Sequence, residues 1–394
     1  MPNLCIMTDM KKKRTTSKRR HAGGAPGRET TWRSIRRKLP LLLLIPLGLL
    51  WPRICMANPA WIERVYSTGV YPAIRDALSS ITSLIPISVA ELLLYALALW
   101  ALAAVIGGLI AWASGRVGGK RVLTTLISIG VAIGVILNLF YFTWGFNYFR
   151  APLKARMGLT VCPRPVEELE SLAFGLAAQA AALRPALPEN EDGVFTLGGA
   201  LPTVLADLPA AYRALAEEQP VFSGRTTRAK RVLYSEGLSW AGISGIFIGL
   251  TGEPNINAAQ PDLLLPQAAA HEMAHQLGIA SENEAEFAAN LACFHSTDAR
   301  VRYSGLMNAL MNCTNALYAA DPARYEALTG VYSQGMLRDL RNDRAYWAQY
   351  DGPIEAAVTQ TNDRYLKHNA QESGIKSYGE SVDLLLAYYD LTKN

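Results

Sequence analysis

Two stretches decide most of what this chain can fold into. Leu92 to Ser114 is 23 residues without a charge, and Val122 to Phe146 is 25. Crossing a bilayer takes about 20 predominantly apolar residues in a helix, which satisfies its own backbone polar groups in lipid. Core helices of a water-soluble protein seldom stay uncharged this long, so both runs are expected to be transmembrane. A shorter run, Leu39 to Trp51, has 13 uncharged residues interrupted by Pro40, Pro46 and Gly48. Extended to Trp61 with Arg53 snorkelling, it makes a first span; a basic region, a short apolar core and small residues near Ala57 also fit a signal peptide. The expected spans are thus about 39–61, 92–114 and 122–146.

Charge sets their direction. The chain of 394 residues has a formal charge of +5, but residues 1–38 alone carry +10 and the remainder −5. The connector Gly115–Arg121 adds Arg116, Lys120 and Arg121. Lys and Arg near membrane ends stay cytoplasmic, so the tail and this connector are expected inside, with everything from about Asn147 outside. Tyr141, Trp144, Tyr148 and Phe149 fit an aromatic belt at the outer interface. The other basic stretches are short and sit in no nucleic-acid motif, so nucleic acid is not an expected partner. Residues 1–38 read as a basic cytoplasmic tail, 39–146 as the anchor and 147–394 as an extracytoplasmic domain large enough for its own core. Of its Cys162, Cys293 and Cys313, the pair Cys293–Cys313 on neighbouring helices is the expected disulfide in an oxidising compartment. There is no Cys-x-x-Cys to make a thiolate zinc site or redox centre.

Within that domain, Val166 to Ala216 has helical apolar spacing broken at Pro185–Pro188, Gly193–Gly199 and Pro202. Val232–Tyr234 and Gly245–Leu250 have strand character, and Thr251–Asn255 reads as a loop. A helix is expected from about Gln267 to a stop at Gly278, and another with Ser281 as its N-cap. The rest is mostly helical.

The first of these helices carries His271-Glu272-Met273-Ala274-His275. Histidines four apart share a helix face and can present imidazole nitrogens to one Zn²⁺, while Glu272 can reach a water there as general base. A third ligand must be a carboxylate or another histidine, and Glu282, Glu284 and Glu286 are within a turn of chain. Ser281-x-x-Glu284 is also a capping box, which competes for Glu284. Glu282 and Glu286 share a face with the small Ala285 and Ala289, which would let the two helices approach closely. Glu282 is therefore the expected third ligand and Glu286 the carboxylate that orients a ligand histidine. The competing explanation is that these glutamates merely favour a helix N-terminus. His295 and His368 read as surface or core histidines. Gly245–Leu250 is equally an ordinary core strand and an edge that could align an extended peptide.

Several segments resemble a family of uncharacterised bacterial membrane proteins, known as a domain of unknown function, with N-terminal spans followed by a domain holding this motif. They are Trp144–Arg150, Gly242–Gly245, Thr251–Asn255, His271–Glu286, Arg302–Gly305, Tyr365–Lys367 and Ser377–Gly379, and the resemblance runs from about Pro59 onward. Glu282-x-x-Ala285-Glu286 is also similar to the third-ligand signature of gluzincin peptidases, in which the first Glu binds zinc. The chain departs from it in having Glu last and only six residues between His275 and Glu282. Within the matching segments, Tyr303 and Tyr378 are hydroxyl donors for an oxyanion, or tyrosines packed in a helical core.

These readings combine into one expectation. The chain is a membrane-anchored, mainly α protein: three N-terminal transmembrane helices and a mostly helical, zincin-like extracytoplasmic domain with a small β element. It would be a zinc-dependent metallopeptidase of the cytoplasmic membrane, acting on peptide or protein in the cell envelope and contacting membrane lipid. The alternative is a non-catalytic envelope protein with a structural or sensing metal.

Overall fold

The computed structural model describes residues 26–115, 119–371 and 380–393. Three helices are long and apolar enough to cross a membrane: span 1 (Trp32–Met56), span 2 (Val89–Ala113) and span 3 (Val122–Thr143). The first begins earlier than expected and stops short of Trp61. Asn58 is the cause, because its side chain accepts the Trp61 amide at 3.2 Å and caps a new helix. That helix continues through Ile62–Val70, wound as a π-helix, and Tyr71–Thr82, so the segment before span 2 is folded.

Spans 1 and 3 pack together. Gly134 lets the backbones approach, since a Cβ there would lie 3.1 Å from Ile45 N. Asn138 spends its amide on the pair, donating to Leu44 O at 2.7 Å and accepting from Trp51 Nε1 at 2.8 Å, the kind of polar contact that joins helices in lipid. Span 2 stands apart, with none of its apolar window buried.

In the domain after span 3 the principal helices are α1 (Val166–Leu183), α2 (Leu201–Glu218), α3 (Leu265–Gln276), α4 (Glu282–Phe294), α5 (Ala299–Ala320), α6 (Gln334–Trp347), α7 (Pro353–His368) and α8 (Ser381–Lys393). Small residues on α3 and α4, among them Ala269, Ala270, Ala285 and Ala289, are fully buried and bring these two helices together. Around them Leu205, Tyr212, Phe287, Leu310 and Leu317 form one core, each large side chain contributing about 1.5–3 kcal/mol by burial.

The β element is a three-stranded sheet in the order β1 (Lys230–Arg231), β3 (Glu253–Ile256), β2 (Gly245–Ile248). Its central strand is the segment expected as a loop. Pro254 is tolerated because it faces Phe247 across an antiparallel pair. Asn257 N donates to Ser244 O at 2.9 Å, and the alternation of the ladder then makes Phe247–Pro254 a pair that exchanges no hydrogen bonds. β1 pairs in parallel only from Asn255 onward, so the missing proline N–H is not needed there either. Val232–Tyr234 lies just beyond β1, outside any strand.

Two sets of contacts join this domain to the spans. Glu253 accepts the Val89 and Ala90 amides at 3.1 and 3.0 Å, capping span 2 with a negative charge where the helix dipole favours it. Lys230 pairs with Glu253 and donates to Thr82 O at 2.7 Å, while Glu91 accepts the Leu233 and Tyr234 amides at 2.7 and 2.9 Å. The second set serves the end of α3. Trp144 Nε1 donates to His275 O at 2.8 Å, Tyr71 to Gln276 O at 2.9 Å and Arg150 to Gly278 O at 3.0 Å. Gly278 has φ +79°, and a Cβ there would meet Tyr71 Cε1 at 2.9 Å.

Two further expectations are corrected. Tyr141, Trp144, Tyr148 and Phe149 are buried in a juxtamembrane cluster with Tyr66, Tyr71 and Phe146, where a lipid-facing belt was expected. Trp51–Phe146 and Tyr66–Phe146 stack edge to face at 5.2 and 5.1 Å. Cys293 and Cys313 are both buried and free. A Cβ on Gly305 of α5 would lie 2.4 Å from Cys293 Cβ, and Cys313 is two turns further along α5, about 12 Å away. That exceeds the span of a disulfide.

Lys230→Ala is expected to destabilise the detergent-solubilised protein by about 3–5 kcal/mol, because removing one partner of a buried ion pair strands the other charge. Denaturant unfolding measures it, and a loss below about 1 kcal/mol, the size of an exposed pair, would contradict the clamp.

Candidate metal centre

His271 and His275 lie one turn apart on α3, and Glu282 comes from the first turn of α4 after the reversal at Gly278. All three are buried, and one ligand atom of each lies within 4.8 Å of the others. His271 Nε2 and His275 Nε2 face the same oxygen, Glu282 Oε2, at 3.1 and 3.6 Å. Each imidazole is fixed from behind. His275 Nδ1 is 2.7 Å from Ile279 O and His271 Nδ1 is 3.1 Å from Glu286 Oε2. Glu286 is itself held by Gln267 Nε2 at 3.2 Å and Asn312 Nδ2 at 3.0 Å.

A carbonyl only accepts, so His275 donates through Nδ1, and its Nε2 faces the Glu282 carboxylate. A proton or a metal cation between those two atoms makes the approach favourable. At His271 both ring nitrogens face carboxylates, which one neutral imidazole cannot satisfy. Burial would lower the pKa of His271, but hydrogen bonds to Glu282 and Glu286 and the nearby carboxylate charges raise it well above the ordinary value. Burial would raise Glu282, yet His275 and His271 hold it far below the carboxylate range. Glu286 is likewise lowered, its burial outweighed by His271. Two imidazoles and a carboxylate, with their outer nitrogens committed, fit a divalent cation of the Zn²⁺ type.

Glu272 stands beside the cluster with its carboxylate under β2. Its position depends on Gly245, where a Cβ would meet Glu272 Cγ at 2.7 Å and Oε1 at 2.8 Å. Burial raises its pKa, with the two histidines and a hydrogen bond from the Phe247 amide opposing the rise.

The other expected residues divide clearly. Glu284 accepts the Leu153 amide at 2.6 Å, tying the segment after span 3 to α4, and Ser281 makes no side-chain capping bond. The expected capping box is therefore not formed. The buried Tyr303 gives its hydroxyl to Asp339 at 2.6 Å, and Asp339 also holds Arg184 and the Phe195 amide. That network is separate from the histidines, so Tyr303 is not at the site. Tyr378 lies outside the described residues. His295 is bound to Leu291 O and Glu218, and His368 is exposed at the end of α7.

Two aromatic residues at the site carried no chemical signal in the sequence. Trp144 sets its ring 5.8 Å from His275, edge on. Tyr365 of α7 packs 5.8 Å from Tyr148. Tyr365 leaves about a third of its surface exposed (36%), but burial of its phenol pushes the pKa up, and the charge of Glu282 adds to the rise. The local signals were weak: Trp144 follows a span directly, and Tyr365 sits in one of the segments shared with the resembling family.

The family described as a protein of unknown function (DUF3810) matches residues 66–386, and the chain belongs to it. The match takes in spans 2 and 3, the sheet and the histidine cluster. No curated protein and no solved structure matches the chain.

Glu286→Gln is expected to weaken Zn²⁺ binding by about 10–100-fold, since the carboxylate behind a ligand histidine sets its orientation and basicity. Competition with a fluorescent chelator measures it; an unchanged affinity would remove Glu286 from the centre.

Proposed function

We propose that this chain is a membrane-anchored, zinc-dependent metallopeptidase working at the outer face of the cytoplasmic membrane. The observation that carries the proposal is the pairing of the His271–His275–Glu282 cluster with Glu272. The cluster has three protein ligands among the described residues, where a structural zinc site is closed by four. Glu272 is a buried carboxylate of raised pKa adjoining them and facing the two histidines.

A bound Zn²⁺ would supply a Lewis acid for a scissile carbonyl and make a water more acidic. His271, His275 and Glu282 hold it, while Glu286 and Ile279 O keep the imidazoles turned inward. Glu272 takes the proton of the attacking water and passes it to the leaving amine, a task suited to a carboxyl of raised pKa. Tyr365, whose phenol is raised in pKa, keeps its proton to donate to the carbonyl oxygen as negative charge develops. Arg33, Arg36, Arg37 and Lys38 at the head of span 1, with Arg116, Lys120 and Arg121 between spans 2 and 3, support a cytoplasmic N-terminus and an extracytoplasmic catalytic domain. Peptide or protein of the envelope is then the substrate, and membrane lipid the surrounding partner.

A structural or sensing metal is the second reading, favoured by the burial of all three ligands. One preparation separates the two. Full-length protein in detergent is assayed for zinc by mass spectrometry and for hydrolysis of a quenched-fluorescent peptide pool. Wild type should contain zinc and cleave; Glu272→Gln should keep the metal and lose about 10²–10⁴-fold in rate. Absence of zinc ends the proposal, and zinc without cleavage leaves the second reading.

Tyr365→Phe should lower kcat by about 10²–10³-fold with little change in KM, as for loss of one oxyanion donor. Steady-state kinetics on one cleaved peptide decide it, and an unaltered kcat would return Tyr365 to a packing role.

A further inference from the structure

The sheet stands between the outer ends of two spans that do not pack together. Span 2 has none of its apolar window buried, and a Cβ at Gly107 or Gly108 would meet nothing within 4 Å. On one sheet face, Lys230 and Glu253 grip the start of span 2. The register places Ile248 opposite Glu253 and Ile246 opposite Asn255, so both isoleucines lie on that face. On the other face, Phe247 lies 5.5 Å from Trp144, the residue directly after span 3.

β2 is the outer strand of the sheet, and no described strand pairs with its far side. The ladder turns the backbone groups of Gly245 and Phe247 away from β3, toward that open edge. One of them, the Phe247 amide, already serves Glu272. The free edge therefore runs beside the proposed general base, on a sheet that touches both the start of span 2 and the residue after span 3. Its surroundings are apolar. Ile246 and Leu250 are exposed, as are Leu233 and Tyr234, whose amides are tied to Glu91 in the first turn of span 2. Exposed apolar side chains gathered at a membrane surface suit contact with lipid or with a chain emerging from it.

We infer that the substrate is a polypeptide tethered in the same membrane, taken as an added strand on the free edge of β2 and cut close to where it leaves the bilayer. The inference rests on the hydrolase reading above. Main-chain hydrogen bonds to the edge supply sequence-independent affinity, and the unburied apolar length of span 2 gives the anchored part a surface to lie against. Water is the co-reactant: its oxygen joins the carbonyl carbon, the C–N bond breaks, and Glu272 carries its proton to the departing amine.

The test uses the full chain in lipid nanodiscs with one peptide pool, free or attached to a palmitoyl anchor through spacers of different length. Tethered rates follow effective concentration, which vanishes when a linker cannot reach and otherwise falls with about the −3/2 power of its length. A site at the bilayer surface should therefore cut substrates with a 5-residue spacer about eightfold faster than those with a 20-residue spacer. The reverse order, or equal rates for tethered and free peptide, overturns the inference while hydrolysis of free peptide leaves the peptidase reading standing. No hydrolysis of any peptide by zinc-loaded protein overturns both. Replacing the exposed Leu233 and Tyr234 together by serine should reduce the short-spacer advantage; an undiminished advantage contradicts the proposed surface.

Discussion

The end of α3 is completed by the membrane part of the molecule. The last carbonyls of a helix have no partners within it, and burying them unpaired is costly. Here the carbonyls of His275, Gln276 and Gly278 receive their donors from Trp144, Tyr71 and Arg150, which belong to the segments flanking the spans. The histidines are therefore positioned by a surface that the helical domain does not itself own. Arg150 is fixed in turn by Glu63, with two contacts of 2.9 and 2.7 Å.

At span 2 the connection is electrostatic. A buried Lys–Glu pair is weak evidence for added stability, because desolvation offsets most of the attraction. Its value lies in geometry: Glu253 satisfies helix amides that would otherwise be orphaned, and Lys230 satisfies the carbonyls of Thr82 and Ile87. The clamp thus fixes where the sheet meets the start of span 2 without burying any of the apolar length of that helix.

Spans 2 and 3 were legible in the sequence, because an uncharged run of that length has few other solutions in a folded protein. The elements around the histidines were legible too: a glycine at φ +79° ends one helix, and two glutamates four apart start the next on one face. Of the strands, β2 was legible as the glycine-bounded apolar run Gly245–Leu250, whereas the two residues of β1 left too little periodicity to read and Pro254 argued for a loop in what became the central strand. Non-local facts were beyond reach. Whether Tyr303 or Tyr365 approaches the cluster depends on how α5 and α7 pack, and the Cys293–Cys313 pairing failed on helix register. The end of span 1 turned on a single side-chain cap at Asn58.

Trp144 comes one residue after span 3 and touches a histidine of the cluster through both its ring and its indole N–H. The height of the histidine cluster is thereby counted in residues along a single helix. One residue inserted between Thr143 and Trp144 would turn the indole by about 100° about the helix axis and move it about 1.5 Å. The juncture between the spans and the domain is a gear tooth, and a change in chain length there would shift the histidine cluster relative to the spans even with all its side chains retained.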